Sequence, residues 1–150
     1  MIVWRLSHKS HSAFDGEGGL IRSARWHHAG VRIVYTSQHL SLAALELFVN
    51  IGSDEQPANL AARSADIPDD IPSDHLTAAD LPEDWRRLNN TVLRDRGMRW
   101  LQGARTAVII VPSAVIPQEN NCLLNPHHPD FARIRLHKPE PFAFDPRMWK

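Results

Sequence analysis

The chain has 150 residues, 43% of them hydrophobic and 23% charged, and these values are typical of one globular domain spanning residues 1–150. Lysine plus arginine and aspartate plus glutamate each number 17, so no overall positive charge favours direct nucleic-acid binding. A single cysteine, no apolar run near the roughly 20 residues of a membrane span, and an N-terminus unlike a signal peptide predict a cytoplasmic protein without an internal disulfide.

The N-terminal third predicts two strands and one helix. Ile2 to Leu6 favours a strand, and a glycine-containing loop separates it from a second strand over Val31 to Thr36. An almost wholly apolar segment from about Leu40 to Asn50 predicts a helix that is buried on nearly every face. Ser37 or Ser41 is the expected N-cap of this helix.

The middle of the chain is less regular. Residues 53–84 are acidic and rich in proline, which disfavours long elements, although residues 62–67 favour a short extended piece. A helix is expected to begin near Pro82 or Asp84 and to weaken or end at Gly97. Three apolar residues at helical spacing would form its buried stripe, namely Trp85, Leu88 and Val92.

Strand patterns return in the C-terminal third. Residues 106–112 form a continuous apolar run that predicts a central strand covered on both faces. Residues 134–137 and 142–144 alternate in polarity as strands do, whereas turn-forming residues predict a loop over 120–129. The predicted fold class is therefore α+β, with a mixed, mostly antiparallel sheet and flanking helices.

Glu46 is the main anomaly, because it places a carboxylate in the middle of the apolar helix. Burying that charge without a partner would be costly. Glu46 could lie on one solvated edge of the helix, paired with Asn50 one turn later, or it could point into a cleft. The residues alone leave both explanations open.

Three other side chains could belong to a site, although each also has an ordinary structural explanation. Arg25 lies between glycine-containing turns and could hold a diphosphate, or it could pack on Trp26 at the surface. Tyr35 could stack on a ligand ring, or it could be a core aromatic whose hydroxyl is paired. Ser113 follows the apolar strand and could be a functional group or a turn-forming serine.

Motifs for metals and for common nucleotide folds are missing from the sequence. His127 and His128 are adjacent, but no second cysteine and no His-Glu-x-x-His pattern accompanies them, so no metal site is expected. Neither Gly-x-Gly-x-x-Gly nor a P-loop is present. A dinucleotide would have to be held in another way.

Taken in order, these segments resemble the RES domain, a family named for an arginine, a glutamate and a serine. The resemblance extends from Trp4 to about Phe144. It depends on a succession of motifs: Trp4-Arg5, Arg25-Trp26, Gly30, Val34-Tyr35-Thr36-Ser37, Leu42-Ala43-Ala44-Leu45-Glu46, Trp100-Leu101, Val111-Pro112-Ser113-Ala114-Val115 and Leu124-Asn125-Pro126. The family usually has Asn after Arg-Trp where this chain has His27, so no role is transferred to that position.

The resemblance implies a fold similar to diphtheria-toxin-like ADP-ribosyltransferases. It also implies a type II toxin that forms a complex with a cognate antitoxin carrying an Xre-like DNA-binding region. NAD⁺ would be the substrate, with no cofactor, and its nicotinamide-ribose bond would be cleaved by a glycohydrolase or phosphorylase reaction that arrests growth. Mono-ADP-ribosylation of a cellular protein is the alternative, a non-catalytic binding module is a weaker one, and RNA cleavage is disfavoured by the balanced charge.

The matching positions imply a division of roles. Glu46 would stabilise the oxocarbenium-like ribose, Arg25 would hold the diphosphate, and Tyr35 would stack on nicotinamide. Ser113 would hydrogen-bond the substrate or orient Glu46. The residues expected to act in catalysis are Glu46, Arg25 and Ser113, and those expected to bind NAD⁺ are Arg25, Tyr35, Ser37 and Asn125. The antitoxin is expected to cover the entrance near Arg25.

Overall fold

The strand-forming segments of the sequence join one sheet in the computed structural model, which describes residues 1–51, 54 and 56–149. The strands are β1 (Ile2–His8), β2 (Val34–Ser37), β3 (Leu60–Asp66), β4 (Ser73–His75), β5 (Val108–Pro112), β6 (Asn120–Leu124), β7 (Arg135–Leu136) and β8 (Glu140–Phe142). The α-helices are α1 (Gly18–Ile21), α2 (Leu40–Asn50) and α3 (Thr91–Gly103). Short 3-10 helices span Lys9–His11, Ala78–Asp80, Pro129–Arg133 and Pro146–Trp149. In the part of the chain described, no helix combines the length and apolarity needed to cross a membrane.

The strand order is β4-β5-β6-β2-β1-β3-β7, and β8 pairs with β3 beside this path. Among the described residues every strand pair is antiparallel except β4 with β5. The predicted α+β class with a mixed, mostly antiparallel sheet is therefore confirmed. The apolar strand β5 is covered on both faces as predicted, but it lies next to the edge strand β4 and not in the centre of the sheet.

The register of the strands separates two faces of the sheet. Trp4 pairs with Ser37, Ser37 pairs with Asn121, and Asn121 pairs with Val111. Because side chains alternate along a strand, these four residues lie in one row on one face. The opposite face carries a buried core that includes Val3, Val34, Val108, Cys122 and Leu124.

Helix α2 has the predicted bounds, but it is less buried than its composition indicates. Only Leu42 and Ala43 are buried, and 54% of Val49 is exposed. The N-cap residue is His39, whose side chain makes no capping hydrogen bond, so the expected cap at Ser37 or Ser41 is wrong. The helix packs on β1 and β2, and this contact places Glu46 near the strand ends.

Helix α3 begins later than predicted. Asn89 adopts a positive φ of 57°, and the Asn90 side chain then caps the helix by accepting from the N–H of Val92. Leu88 and Val92 are 75% and 54% exposed, so the predicted apolar stripe is wrong. The buried face instead consists of Leu93, Gly97 and Trp100.

Gly97 does not end the helix, contrary to the prediction. A Cβ atom at this position would lie 1.8 Å from the carbonyl oxygen of Trp26. The glycine therefore lets α3 approach the loop that contains Arg25 and Trp26 much more closely than another residue would.

Three other segments test the strand predictions. The extended piece expected at residues 62–67 belongs to β3, and the alternating C-terminal segments become the short strands β7 and β8. The predicted loop over 120–129 is wrong in its first half, which forms β6 between β5 and β2. Turn-forming asparagines are tolerated there because neighbouring strands pair with their backbone on both sides.

Candidate active site

A cleft of about 700 Å³ lies on the sheet face that carries Trp4, Ser37 and Asn121. One wall is α2, and the opposite wall is formed by Arg94 of α3 and the loops around residues 23–26 and 88–89. Both polar and apolar side chains line it, including Trp4, Arg25, Tyr35, Ser37, Glu46, Leu47, Leu88, Asn89, Arg94 and Asn121. Concave sites of this size commonly bind small molecules.

Glu46 points into this cleft from α2, and its Oε1 atom is held by two donors. Ser113 Oγ and Asn121 Nδ2 each donate to Oε1 at 2.7 Å. Asn50 one turn later donates to the backbone carbonyl of Glu46 and not to its carboxylate. Within the described residues, Glu46 Oε2 makes no hydrogen bond, so this oxygen remains available to a ligand.

Ser113 lies directly behind Glu46 and has no exposed surface. Its hydroxyl oxygen accepts from the backbone N–H groups of Val115 and Ile116 at 3.0 and 3.1 Å. The hydroxyl proton is therefore directed at Glu46. This geometry orients the carboxylate and gives Ser113 no direct access to the cleft.

Asn121 is the second partner of Glu46, and the sequence interpretation did not include it in the site. Its Oδ1 accepts from Ser37 Oγ at 2.7 Å, which leaves Nδ2 to face the carboxylate, a group that can only accept. No signal in the sequence indicated this role, because Asn121 lies within the segment 120–129, which the sequence predicts to be a turn-forming loop. Only strand pairing places it between Ser37 and Glu46.

Arg25 lies on the opposite side of the cleft. Its Nη1 donates to the carbonyl oxygens of Trp85 and Arg87 at 2.9 and 3.3 Å. Burial lowers the pKa of Arg25, and the nearby Glu46 carboxylate opposes this change. The guanidinium stays charged, and its direction is set by neutral carbonyl groups.

Tyr35 lines the floor of the cleft, while its hydroxyl belongs to an internal hydrogen-bond chain. The Tyr35 oxygen accepts from the backbone N–H of Trp26 at 3.2 Å and lies 2.8 Å from Nδ1 of His27. Because Nε2 of His27 faces the carbonyl of Arg22 at 2.8 Å, Nε2 carries the proton and Nδ1 accepts from Tyr35. Burial raises the pKa of Tyr35 and lowers the pKa of His27, so both groups stay neutral.

Asn125 is not brought together with the other predicted residues. It follows β6 at the end away from Asn121, is 2% exposed, and does not line the cleft. Its amide donates to the carbonyl of Leu101 and accepts from the N–H of His127, which stabilises the turn. A direct contact of Asn125 with a substrate in this cleft has no geometric support.

One of the two adjacent histidines, His128, has a structural role. His128 Nδ1 accepts from the N–H of Asp130 and caps the 3-10 helix that follows. Across the described ranges, no group of three or more His, Cys, Asp or Glu side chains is arranged to hold a metal ion.

Comparison with known proteins identifies the family. The model of the RES domain matches residues 2–145. A protein of Photorhabdus laumondii named Toxin Res is 36% identical, with 100% of this chain and 98% of that protein covered. A Sphingobium protein named Prs ADP-ribosylating toxin is 35% identical, with 97% of this chain and 94% of that protein covered.

A solved structure shares the fold despite low sequence identity. A chain of the M. tuberculosis MbcT-MbcA toxin-antitoxin complex superposes with a TM-score of 0.77 at 15% identity, covering 99% of this chain and 86% of that chain. The match over residues 2–145, the two relatives and the Ser113–Glu46 contact behind the cleft that Arg25 lines all support one assignment. This protein belongs to the RES domain family.

Proposed function

We propose that this protein is the toxin of a toxin-antitoxin pair and that it consumes NAD⁺ by cleaving the nicotinamide-ribose bond. Relatives covered over nearly their whole length are named as toxins, and one of them is named as ADP-ribosylating. The two hydrogen bonds that fix the Glu46 carboxylate at the cleft are the observation that supports bond cleavage.

Cleavage of this bond places positive charge on the ribose as neutral nicotinamide departs with the bonding electron pair. A fixed anion next to C1″ stabilises that state, as carboxylates do in glycoside cleavage. Glu46 suits this role because Ser113 and Asn121 both hold Oε1, which directs the remaining oxygen toward the cleft. No reorganisation of the carboxylate is then needed as charge develops.

The other predicted residues would bind and orient NAD⁺. Arg25 would hold the diphosphate through the donors that Trp85 and Arg87 leave unused. The ring of Tyr35 lines the cleft and would contact nicotinamide, while its hydroxyl keeps the Arg25 loop in place. Ser113 would act through Glu46, and Ser37 through Asn121. NAD⁺ is a substrate in this scheme, and no cofactor is required.

An oxygen acceptor completes the reaction by forming a new bond to C1″ and releasing its proton. Water would give ADP-ribose, and inorganic phosphate would give ADP-ribose 1″-phosphate. Transfer to a protein side chain is the second candidate, favoured by the name of the Sphingobium relative.

The partner in this proposal is a cognate antitoxin of Xre-like type, acting with the toxin in the cytoplasm. The fold is shared with a chain of a solved toxin-antitoxin complex. We propose that the antitoxin covers the cleft entrance near Arg25, because an occupied polyanion site cannot accept NAD⁺. Added antitoxin should then abolish nicotinamide release, and full activity of the complex would contradict this arrangement.

Nicotinamide release from NAD⁺ by the purified protein tests the proposed activity. Replacing Glu46 by Ala or Gln should lower kcat by about 10²- to 10³-fold, because the fixed anion is lost. Glu140→Gln is the matched control, since Glu140 is exposed on β8 and should leave the rate unchanged. Product analysis with and without phosphate, and with cell extract, separates the acceptors. Equal nicotinamide release by the wild type and Glu46→Ala would overturn the proposal.

A further inference from the structure

Three arginines line the cleft, namely Arg5, Arg25 and Arg94, and none of them forms an ion pair with a carboxylate among the described residues. The side chain of Arg5 projects from the other face of β1, where its guanidinium binds Ser7 and the carbonyl of His11. Arg25 and Arg94 are therefore the two cations available inside the cleft.

The arginine ion pairs within the described ranges involve other residues, namely Arg105, Arg133, Arg135 and Arg147. The Glu46 carboxylate acts on Arg25 through its charge but forms no hydrogen bond with the guanidinium. Both arginines can therefore bind an anion that comes from outside the chain.

Both groups are anchored by neutral acceptors. Arg94 Nε donates to the carbonyl of Ala24 at 2.9 Å, and its Nη2 donates to Oδ1 of Asn89 at 3.0 Å. Arg25 is anchored through Nη1 alone. Such contacts fix the direction of each guanidinium without cancelling its charge, and they leave Nη1 of Arg94 and Nη2 of Arg25 without a partner in the described structure.

The same loop brings the two charges together. Arg94 binds the carbonyl of Ala24, the residue that precedes Arg25 in the chain. The charges of both arginines act on the Tyr35 hydroxyl, where each opposes the rise of its pKa that burial causes. Arg25 and Arg94 thus flank one stretch of the cleft next to Tyr35.

We infer that Arg94 is a second diphosphate-binding residue, which acts with Arg25 and makes this cleft select NAD⁺ over nicotinamide ribosides that lack phosphate. A diphosphate carries two negative charges and several acceptor oxygens, which suit two preoriented guanidinium groups. The inference rests on the proposed NAD⁺-consuming function. Arg94 of α3, which belongs to none of the sequence motifs, would thus contribute to the substrate selectivity of the site.

Removal of Arg94 should have different effects if its side chain binds the diphosphate and if it only supports the Arg25 loop. If the side chain only holds the carbonyl of Ala24, it acts through Arg25, and its removal would cause no further loss with NAD⁺ in a protein that already carries Arg25→Gln. If Arg94 itself binds the diphosphate, its removal would lower kcat/KM for NAD⁺ further in the Arg25→Gln variant, and it would spare substrates without a diphosphate in either background. The double variant, together with substrates with and without the diphosphate, distinguishes the two roles.

The experiment compares kcat/KM for nicotinamide release from NAD⁺ and from nicotinamide riboside in the wild type and in Arg94→Gln. Arg99→Gln is the control, since Arg99 is exposed on the same helix. With NAD⁺, Arg94→Gln should lower kcat/KM by about 10- to 100-fold, mainly through KM, because a hydrogen bond to a charged group is lost. With nicotinamide riboside the change should stay within about twofold. An equal loss with both substrates would overturn the inference.

A binding measurement separates failure of the inference from failure of the proposed function. Titration of ADP by calorimetry should give a Kd about tenfold higher for Arg94→Gln than for the wild type and Arg99→Gln. If the wild type releases no nicotinamide from NAD⁺, the proposed function fails while this titration still decides the diphosphate site. An unchanged Kd for ADP in Arg94→Gln would refute the inference that Arg94 binds the diphosphate.

Discussion

At Glu46, two hydrogen bonds to one carboxylate oxygen offset the cost of placing a charge in an apolar helix. Ser113 and Asn121 provide these bonds, and both are held in turn by further donors, from backbone N–H groups and from Ser37. The alternative explanation, in which Asn50 pairs with the carboxylate, does not hold because Asn50 binds the backbone carbonyl. Ser113 and Asn121 therefore control the orientation of the Glu46 carboxylate.

Asn121→Ala should mainly affect turnover. Loss of the Nδ2 donor frees the carboxylate to rotate, so we expect kcat for NAD⁺ cleavage to fall by about tenfold or more while KM changes little. Asn121→Asp should be more damaging at neutral pH, because two adjacent carboxylates disfavour each other's charged form.

Asn120→Ala is the matched control for this prediction. Asn120 is the neighbouring residue on β6, and its side chain projects from the other face of the sheet. Kinetic constants and thermal unfolding should be measured for all three variants. An unaltered kcat in a folded Asn121→Ala protein would show that Asn121 does not position Glu46.

At the level of elements, the loop of residues 23–27 is held between α3 and the sheet. Trp26 packs against Gly97 of α3, Arg94 of the same helix binds Ala24, and Tyr35 of β2 binds the N–H of Trp26. The position of Arg25 thus depends on elements distant in sequence.

Replacement of Gly97 by Ala should separate α3 from this loop. The new Cβ would lie 1.8 Å from the Trp26 carbonyl, so the free energy of unfolding should fall by about 1–3 kcal/mol or more. Gly103→Ala on the same helix meets no atom within 4 Å and should stabilise the protein slightly or leave it unchanged. Urea unfolding of both variants measures the difference, and equal stabilities would contradict the proposed close approach.

At the scale of the whole molecule, His27 connects three segments. Its ring is 2% exposed and bridges the Arg22 carbonyl after α1 to Tyr35 of β2, which binds Trp26 in turn. Burial lowers the pKa of His27, the Arg22 carbonyl opposes this change, and the charges of Arg94 and His28 add to the lowering. Protonation would turn the Nδ1 acceptor into a donor and remove the partner of the Tyr35 proton.

The stability of the protein should therefore depend on pH through His27. In the unfolded chain His27 takes up a proton as the pH falls through about 6.5, whereas the folded protein resists protonation to lower pH. The stabilisation is fully present above this value and is lost as the pH falls toward the folded-state pKa.

Thermal unfolding between about pH 8 and pH 5 measures this effect. The midpoint of the wild type should fall more steeply below about pH 6.5 than that of His27→Asn, which cannot titrate. His137→Asn, which changes an exposed histidine, should retain the wild-type slope. Parallel curves for the wild type and His27→Asn would exclude this role of His27.

Several features followed from local sequence alone. Helix α2 has the predicted bounds because its 11 residues contain no glycine or proline and exceed the length of most buried strands. The mostly antiparallel sheet followed from short alternating strands, and the order of motifs across the chain identified the family. Arg25, Tyr35, Ser37 and Glu46 line one cleft, and Ser113 lies behind it in contact with Glu46.

Tertiary structure decided the remaining features, because each depends on residues far apart in the chain. Strand pairing converts the turn-forming Asn120-Asn121 segment into β6 and brings Asn121 to Glu46. Close packing against Trp26 explains why a glycine occupies position 97, where helix propensity alone predicts the end of the helix. Arg94 belongs to no sequence motif, and only the fold brings it to the carbonyl of Ala24, next to Arg25. The sequence determined which side chains are available, and long-range packing decided which of them meet.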